Sequence, residues 1–196
     1  MRTADVLVAR EDDARVADRL ADGWTVVARS WGARLDAGRV DLDALRVLAG
    51  GARGLGDLRE LGPGDVDAVL ALDAATREDY PGGVATRHVP LTREAAGISA
   101  ARRAWGVIDP ADRLVALTYV DVDGSRAETD FTVVARAHRG RGLGAAVKAA
   151  SVLALTHDGV ATFRTGGAAE NAAILAANAR IGYRVDERWA TLAPPV

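Results

Sequence analysis

The sequence predicts an α/β protein with a mixed, mostly antiparallel central sheet flanked by helices, on three observations. Three extended runs, 104–108, 114–122 and 126–135, follow one another with only Asp109-Pro110 and Asp123-Gly124 as turn signals between them, which is the pattern of an antiparallel meander. A glycine-rich turn then opens a helical stretch at 142–156. After it the chain alternates strand, helix and strand, at 161–165, 169–180 and 183–192, an order that lays helices against a sheet.

The earlier elements follow from the same periodicities. Val6-Leu7-Val8 is a short apolar run, 12–21 is amphipathic and stops at Gly23, 24–35 reads as a strand, and 42–48 as a second helix. The run GGARGLG at 50–56 reads as a linker, because clustered glycines favour a flexible backbone. It separates an N-terminal appendage, 1–57, from a main domain, 58–196. In the main domain 58–61 is a short strand, Gly62-Pro63-Gly64 a turn, and Asp65 an N-cap for a helix carrying Val66, Val69, Leu70 and Leu72. Residues 76–92 contain Pro81, Gly82, Gly83 and Pro90 without any period, and read as a substrate-facing loop.

Composition narrows the function. A chain of 196 residues supports one well-buried core and an appendage. With 49% hydrophobic and 27% charged residues and a net charge of -2, it has the composition of a soluble globular protein and lacks the basic excess that nucleic acid binding needs. The absence of cysteine excludes disulfides and thiolate nucleophiles. The start of the chain has no apolar run behind basic residues, and no segment approaches the roughly 18 apolar residues of a membrane span, so no membrane partner and a cytoplasmic location are expected. His88, His138 and His157 are scattered, without the spacing of a metal site, and no metal is expected.

The sharpest motif is Arg139-Gly140-Arg141-Gly142-Leu143-Gly144, set between a strand and a helix whose inner side carries Ala146, Val147, Ala150 and Leu153. Glycines let the backbone close on a ligand, and the first amides of a helix have no internal partners, so they turn donors and a positive dipole end toward an anion. A pyrophosphate fits such a place. The Gly-Lys-Ser/Thr ending of a Walker loop is missing, and the glycine spacing differs from that of the dinucleotide fingerprint. The look-alike Gly51-Ala52-Arg53-Gly54-Leu55-Gly56 precedes a strand and a proline, with no helix to supply the dipole.

The loop at 139–144 resembles the acetyl-CoA loop of the GNAT acetyltransferases. Residues 165–183 support the resemblance: Asn171 stands near the start of a helix that ends in Gly182-Tyr183, like the family's last core helix with its Gly-Phe/Tyr. The likeness covers 58 to the C-terminus, is strongest over 130–183, and is greatest to the actinobacterial, mycothiol-synthase-related subgroup. It implies a GNAT fold, acetyl-CoA as acyl donor, and cofactor contacts from Val133, Val134, Arg139, Gly140, Arg141, Gly142, Leu143, Gly144, Ala145, Asn171 and Asn178. Two departures stand out. Gly167 occupies a position that is often asparagine in that subgroup, and Asn178 stands where many members have a tyrosine general acid.

What the resemblance implies chemically is direct attack of a small-molecule primary amine on the thioester in a ternary complex. Strand periodicity puts Glu128 and Asp130 on one face, together with Thr132 and Val134. Paired carboxylates raise each other's proton affinity, which suits removal of a proton from an ammonium through water. Similarity of strand position to the family implies Glu128 as base, then Asp130; the alternative is that both are solvated or hold an arginine. Other readings are a catalytically silent acyl-CoA-binding module and acetylation of a protein N-terminus or lysine. Gly23-Trp24 with Arg29-Ser30-Trp31 echoes Gly182-Tyr183 with Arg188-Trp189. On that echo, 1–57 is a remnant of a second GNAT domain whose strand augments the main sheet or that of a partner, and a homodimer is expected.

Overall fold

The computed structural model describes residues 6–79 and 88–195. The central part of the loop expected at 76–92 therefore lies outside the described residues. An eight-stranded sheet in the order β1-β8-β2-β7-β6-β5-β4-β3 organises the chain. The strands are β1 Leu7–Arg10, β2 Thr25–Asp36, β3 Asp57–Glu60, β4 Arg102–Ile108, β5 Leu114–Asp123, β6 Arg126–Val134, β7 Thr162–Ala168 and β8 Arg184–Ala193. The helices are α1 Ala14–Ala21, α2 Leu42–Ala49, α3 Val66–Thr76, α4 Leu143–His157 and α5 Ala172–Ile181. All strand pairs are antiparallel except β6–β7, so the expected mixed, mostly antiparallel sheet is what the sequence forms.

β5 is buried along Leu114–Val120, which is why it reads as a continuous apolar run rather than an alternating one. Its Leu117 and Tyr119 pack with Val66, Val69 and Leu72 of α3. Val115 and Ala116 pack with Leu143, Ala146 and Val147 of α4. A third group joins Ala149, Val152 and Leu155 of α4 to Phe163, Tyr183, Trp31 and Leu45. Helices thus cover the sheet from both sides, and residues on both sides of position 57 share one core.

β2 is paired along both edges: Trp31 opposes Gly167 of β7 and Arg188 of β8. Residues 50–56, expected as a linker, begin with a 3-10 turn in which Ala52 is 2% exposed. A Cβ on Gly56 would stand 2.4 Å from the Ile108 carbonyl oxygen, so this stretch is packed against β4. Asp65 does not cap its helix with its side chain; the carboxylate accepts from the Gly62 amide at 2.8 Å and pairs with Arg59 at 2.7 Å.

Candidate functional site

β6 and β7 are paired only at Arg126–Thr162, Ala127–Phe163 and Glu128–Arg164. Beyond these positions they share no register, although β6 continues to Val134 and β7 to Ala168, so the two strands part. The unpaired backbone of upper β6 faces this opening, and α4 begins at its mouth.

Gly142 starts α4 in the left-handed region, with φ 81°, and no side chain caps the helix. The amides of Leu143, Gly144 and Ala145 therefore have neither an intrahelical acceptor nor a cap, and they present the positive dipole end to solvent. Gly140 is also left-handed, with φ 73°, and a Cβ at either glycine would meet nothing within 4 Å. These amides open on a cavity of about 470 Å³ lined by Val133, Val134, Arg139, Gly140, Gly142, Leu143, Gly144, Ala145 and Asn171, all of them positions expected from sequence. Arg141 is exposed and Asn178 buried, and neither is on its wall.

Asn171 caps α5, its Oδ1 accepting from the Ile174 amide at 3.2 Å. Asn178 is 1% exposed, and neither its Oδ1 nor its Nδ2 has a hydrogen-bond partner among the described residues. The same cavity is lined by residues the sequence did not single out for it: Thr132, Asp79, His138 and Arg180. The buried Nδ1 of His138 has no hydrogen-bond partner among the described residues. Arg139 donates to the Val134 carbonyl at 3.0 Å and to Asp79 at 2.6 Å, and Arg136 reaches the same carboxylate at 2.5 Å. Hydrogen bonds from Arg136 and Arg139 hold the Asp79 carboxyl below its ordinary range.

A second cavity, of about 510 Å³, lies where β6 and β7 separate and is lined by Asp121, Glu128, Thr129, Asp130, Arg164, Thr165, Trp31 and Trp189 among others. Glu128 and Asp130 do share it, but Thr132 and Val134 do not. A bulge is the reason: Tyr119 opposes Phe131 and Val120 opposes Thr129, so Asp130 is an extra residue and the alternation reverses there. Ala127 packs toward α4, whereas Val133 packs toward α3. Thr132 and Val134 are consequently turned to the first cavity, beside Gly144.

The two carboxylates differ in their partners. Asp130 accepts from Arg102 at 2.6 Å, and the same guanidinium holds Asp121 at 2.7 Å. Burial works against the charge of Arg102, but the bonds to Asp130 and Asp121 outweigh it and raise its pKa. Arg164 occupies Asp186 and Glu187, each at 2.6 Å. Glu128 has no ion pair among the described residues.

Beneath this cavity lies Lys148, the only lysine of the chain, 1% exposed. Its Nζ is 3.0 Å from Thr165 Oγ1 and 3.3 Å from Thr129 Oγ1. Burial pushes its pKa down to about 7. Neither threonine nor the lysine carried a signal by sequence alone, apart from the singularity of a lysine among arginines.

The look-alike loop at 51–56 also borders a cavity, of about 530 Å³, but Asp57, Asp109 and Asp112 line it beside Arg59, so carboxylates outnumber the guanidinium there, a poor surface for a phosphate.

No protein-family model matches the sequence, and no curated protein matches it. Solved structures do. The chain resembles a GNAT-family acetyltransferase from Novosphingobium aromaticivorans, at TM-score 0.56 and 17% identity, over 98% of this chain and 76% of that one. It resembles a tandem GNAT protein from the clavulanic acid biosynthesis pathway at TM-score 0.62 and 23% identity, over 95% of this chain and 63% of the other. A GCN5-related N-acetyltransferase from Sphaerobacter thermophilus gives TM-score 0.70 at 13% identity, over 97% and 60%. The chain thus spans less than two thirds of the latter two proteins. Its fold is that of the GNAT acetyltransferases.

Proposed function

We propose that this chain is an N-acetyltransferase that moves the acetyl group of acetyl-CoA to a primary amine of a small molecule, by direct attack in a ternary complex. One observation carries the reading: the uncapped start of α4, led by left-handed Gly142, opens on a cavity where β6 and β7 part. Acetyl-CoA suits the residues present. The bare amides at 143–145 and the guanidiniums of Arg139 and Arg180 suit its phosphates, and the buried, unpartnered His138 Nδ1 lacks a polar neighbour that a ligand would supply. Val133 and Val134 would offer backbone groups to the pantetheine arm. The bound cofactor supplies an activated thioester.

The acceptor belongs to the second cavity. Glu128, without a cation of its own, draws and orients the incoming ammonium, while Asp130 is committed to Arg102. The resemblance to the mycothiol-synthase-related subgroup and a cytoplasmic location are part of the same reading. Asn178, in place of a tyrosine acid, favours a second one: a module that binds acyl-CoA without turnover.

Calorimetric titration with acetyl-CoA, on wild type and on Gly142→Trp, tests the main reading. Micromolar binding that the substitution abolishes supports it, and a primary-amine screen then separates enzyme from silent module. A wild-type chain that binds no acetyl-CoA ends it.

A further inference from the structure

The reaction must remove a proton from the acceptor, because an ammonium has no lone pair for attack. Glu128 can hold that ammonium, yet it stands exposed to solvent. A second proton acceptor lies on the interior side of the same cavity. Thr129 and Thr165 line the cavity, are 9% and 4% exposed, and follow directly on Glu128 and Arg164, the last paired residues of β6 and β7. Both hydroxyls meet Nζ of Lys148 from the sheet side. We infer that Lys148 is the proton store of the acetyl transfer, reached from the acceptor cavity through the hydroxyl of Thr129 or Thr165. The inference rests on the acetyltransferase reading above.

The surroundings suit an amine that is neutral before turnover. A neutral Nζ has two N–H groups and one lone pair, so it accepts from one threonine and donates to the other. The titratable group facing it is the Tyr183 phenol, whose ring centre is 5.4 Å away and whose pKa burial raises, so it brings no charge. Thr129 and Thr165 are the groups presented by β6 and β7. Among the described residues burial is the cause acting on Lys148, and no carboxylate or guanidinium of α2, α5 or the sheet compensates its charge. A structural lysine at such a place is costly unless neutral, since an unpaired buried charge is among the most unfavourable groups a core can hold.

The step balances. The ammonium N–H bond breaks and its proton passes to a threonine oxygen, as the proton of that hydroxyl passes to the Nζ lone pair. The freed amine lone pair forms the new C–N bond, and the C–S bond breaks with its electrons left on sulfur. The proton stored on Lys148 returns by the same hydroxyl to the thiolate or to solvent. Lys148 touches neither reactant, so it is a positioning residue that acts through the threonines.

Because the chain has one lysine, selective ¹³C labelling of lysine gives one Cε resonance, and its titration reads this site alone. The kinetic probes are 2-phenylethylamine, an ammonium at neutral pH, and hydroxylamine, already neutral there. Lys148→Met, shown folded by circular dichroism, is compared with the double variant Thr129→Val and Thr165→Val, which leaves the lysine in place. The expected result is a midpoint near neutrality in wild type. In both variants kcat for phenylethylamine falls about a hundredfold at neutral pH and recovers as pH rises, with KM unchanged and hydroxylamine turnover nearly intact. A lysine that stays charged well above neutrality overturns the inference. So does an unchanged pH profile, an equal loss with both amines, or loss of the rising limb in Glu128→Gln instead. A wild-type chain that binds acetyl-CoA yet acetylates neither probe overturns the acetyltransferase reading, and the relay with it.

Discussion

The two helices that border the opening, α4 and α5, are built to different standards. α5 starts on a side-chain cap from Asn171 and ends on left-handed Gly182, whose amide and that of Tyr183 both bond the Asn178 carbonyl. α4 starts without a cap and carries a buried amine with no counter-charge. A missing N-cap costs about 1 kcal/mol, and an unpaired buried charge several times that. The helix that carries these two costs is the one whose end and second turn face the two cavities. On the reading proposed above, stability is given up where groups would stay available to a ligand, and α5 gives it up at Asn178.

The largest expected effect comes from removing the amine. The native pKa of Lys148, about 7, lies below the ordinary 10.5, so between these values the unfolded chain binds more protons and the native state gains stability as pH rises. At neutral pH and below, the cost of the buried group is present in full. Lys148→Met is therefore expected to stabilise the fold by about 4 kcal/mol at neutral pH, a gain that fades toward alkaline pH. Urea unfolding at a series of pH values checks this; a constant difference would show that Lys148 does not titrate as described.

Giving α4 a cap should erase the contrast between the helices. Gly142→Asp places a carboxylate beside the bare amides, and acetyl-CoA affinity is expected to drop about a hundredfold, with a loss of about 1 kcal/mol in stability from a side chain at a left-handed φ. Calorimetry and denaturation together separate this from misfolding. A smaller effect attaches to the flaw in α5: Asn178→Leu exchanges an orphaned amide for an apolar group of similar size and should stabilise by about 1–2 kcal/mol. If acetyl-CoA binding falls instead, Asn178 serves the ligand. The smallest change is Asn171→Ala, about 1 kcal/mol of destabilisation seen in denaturant titration, with little effect on cofactor affinity.

What was legible in the sequence was local. The loop at 139–144 announced itself because glycine spacing, strand and helix adjoin one another, and the meander because its turns are short. That 24–35 would augment the main sheet was one of the two alternatives the echo with 182–189 suggested, but its seat between β7 and β8 was not legible, since partners so distant in the chain leave no trace in periodicity. The division of Glu128 and Asp130 from Thr132 and Val134 was hidden by a bulge, a single extra residue that defeats a period of two. Lys148 was hidden for another reason. A lysine beside alanines on a helix reads as a solvated group, and its burial depends on two threonines from other strands.

The place of β2 also bears on how the chain is made. This strand leaves the ribosome well before both of its neighbours, Thr162–Ala168 and Arg184–Ala193. Until then a twelve-residue strand has both edges open, a state that invites pairing with other chains. Contacts closed over such separations also slow folding. The sheet is completed only when β7 and β8 have followed, so β2 is open to mispairing until both have been made.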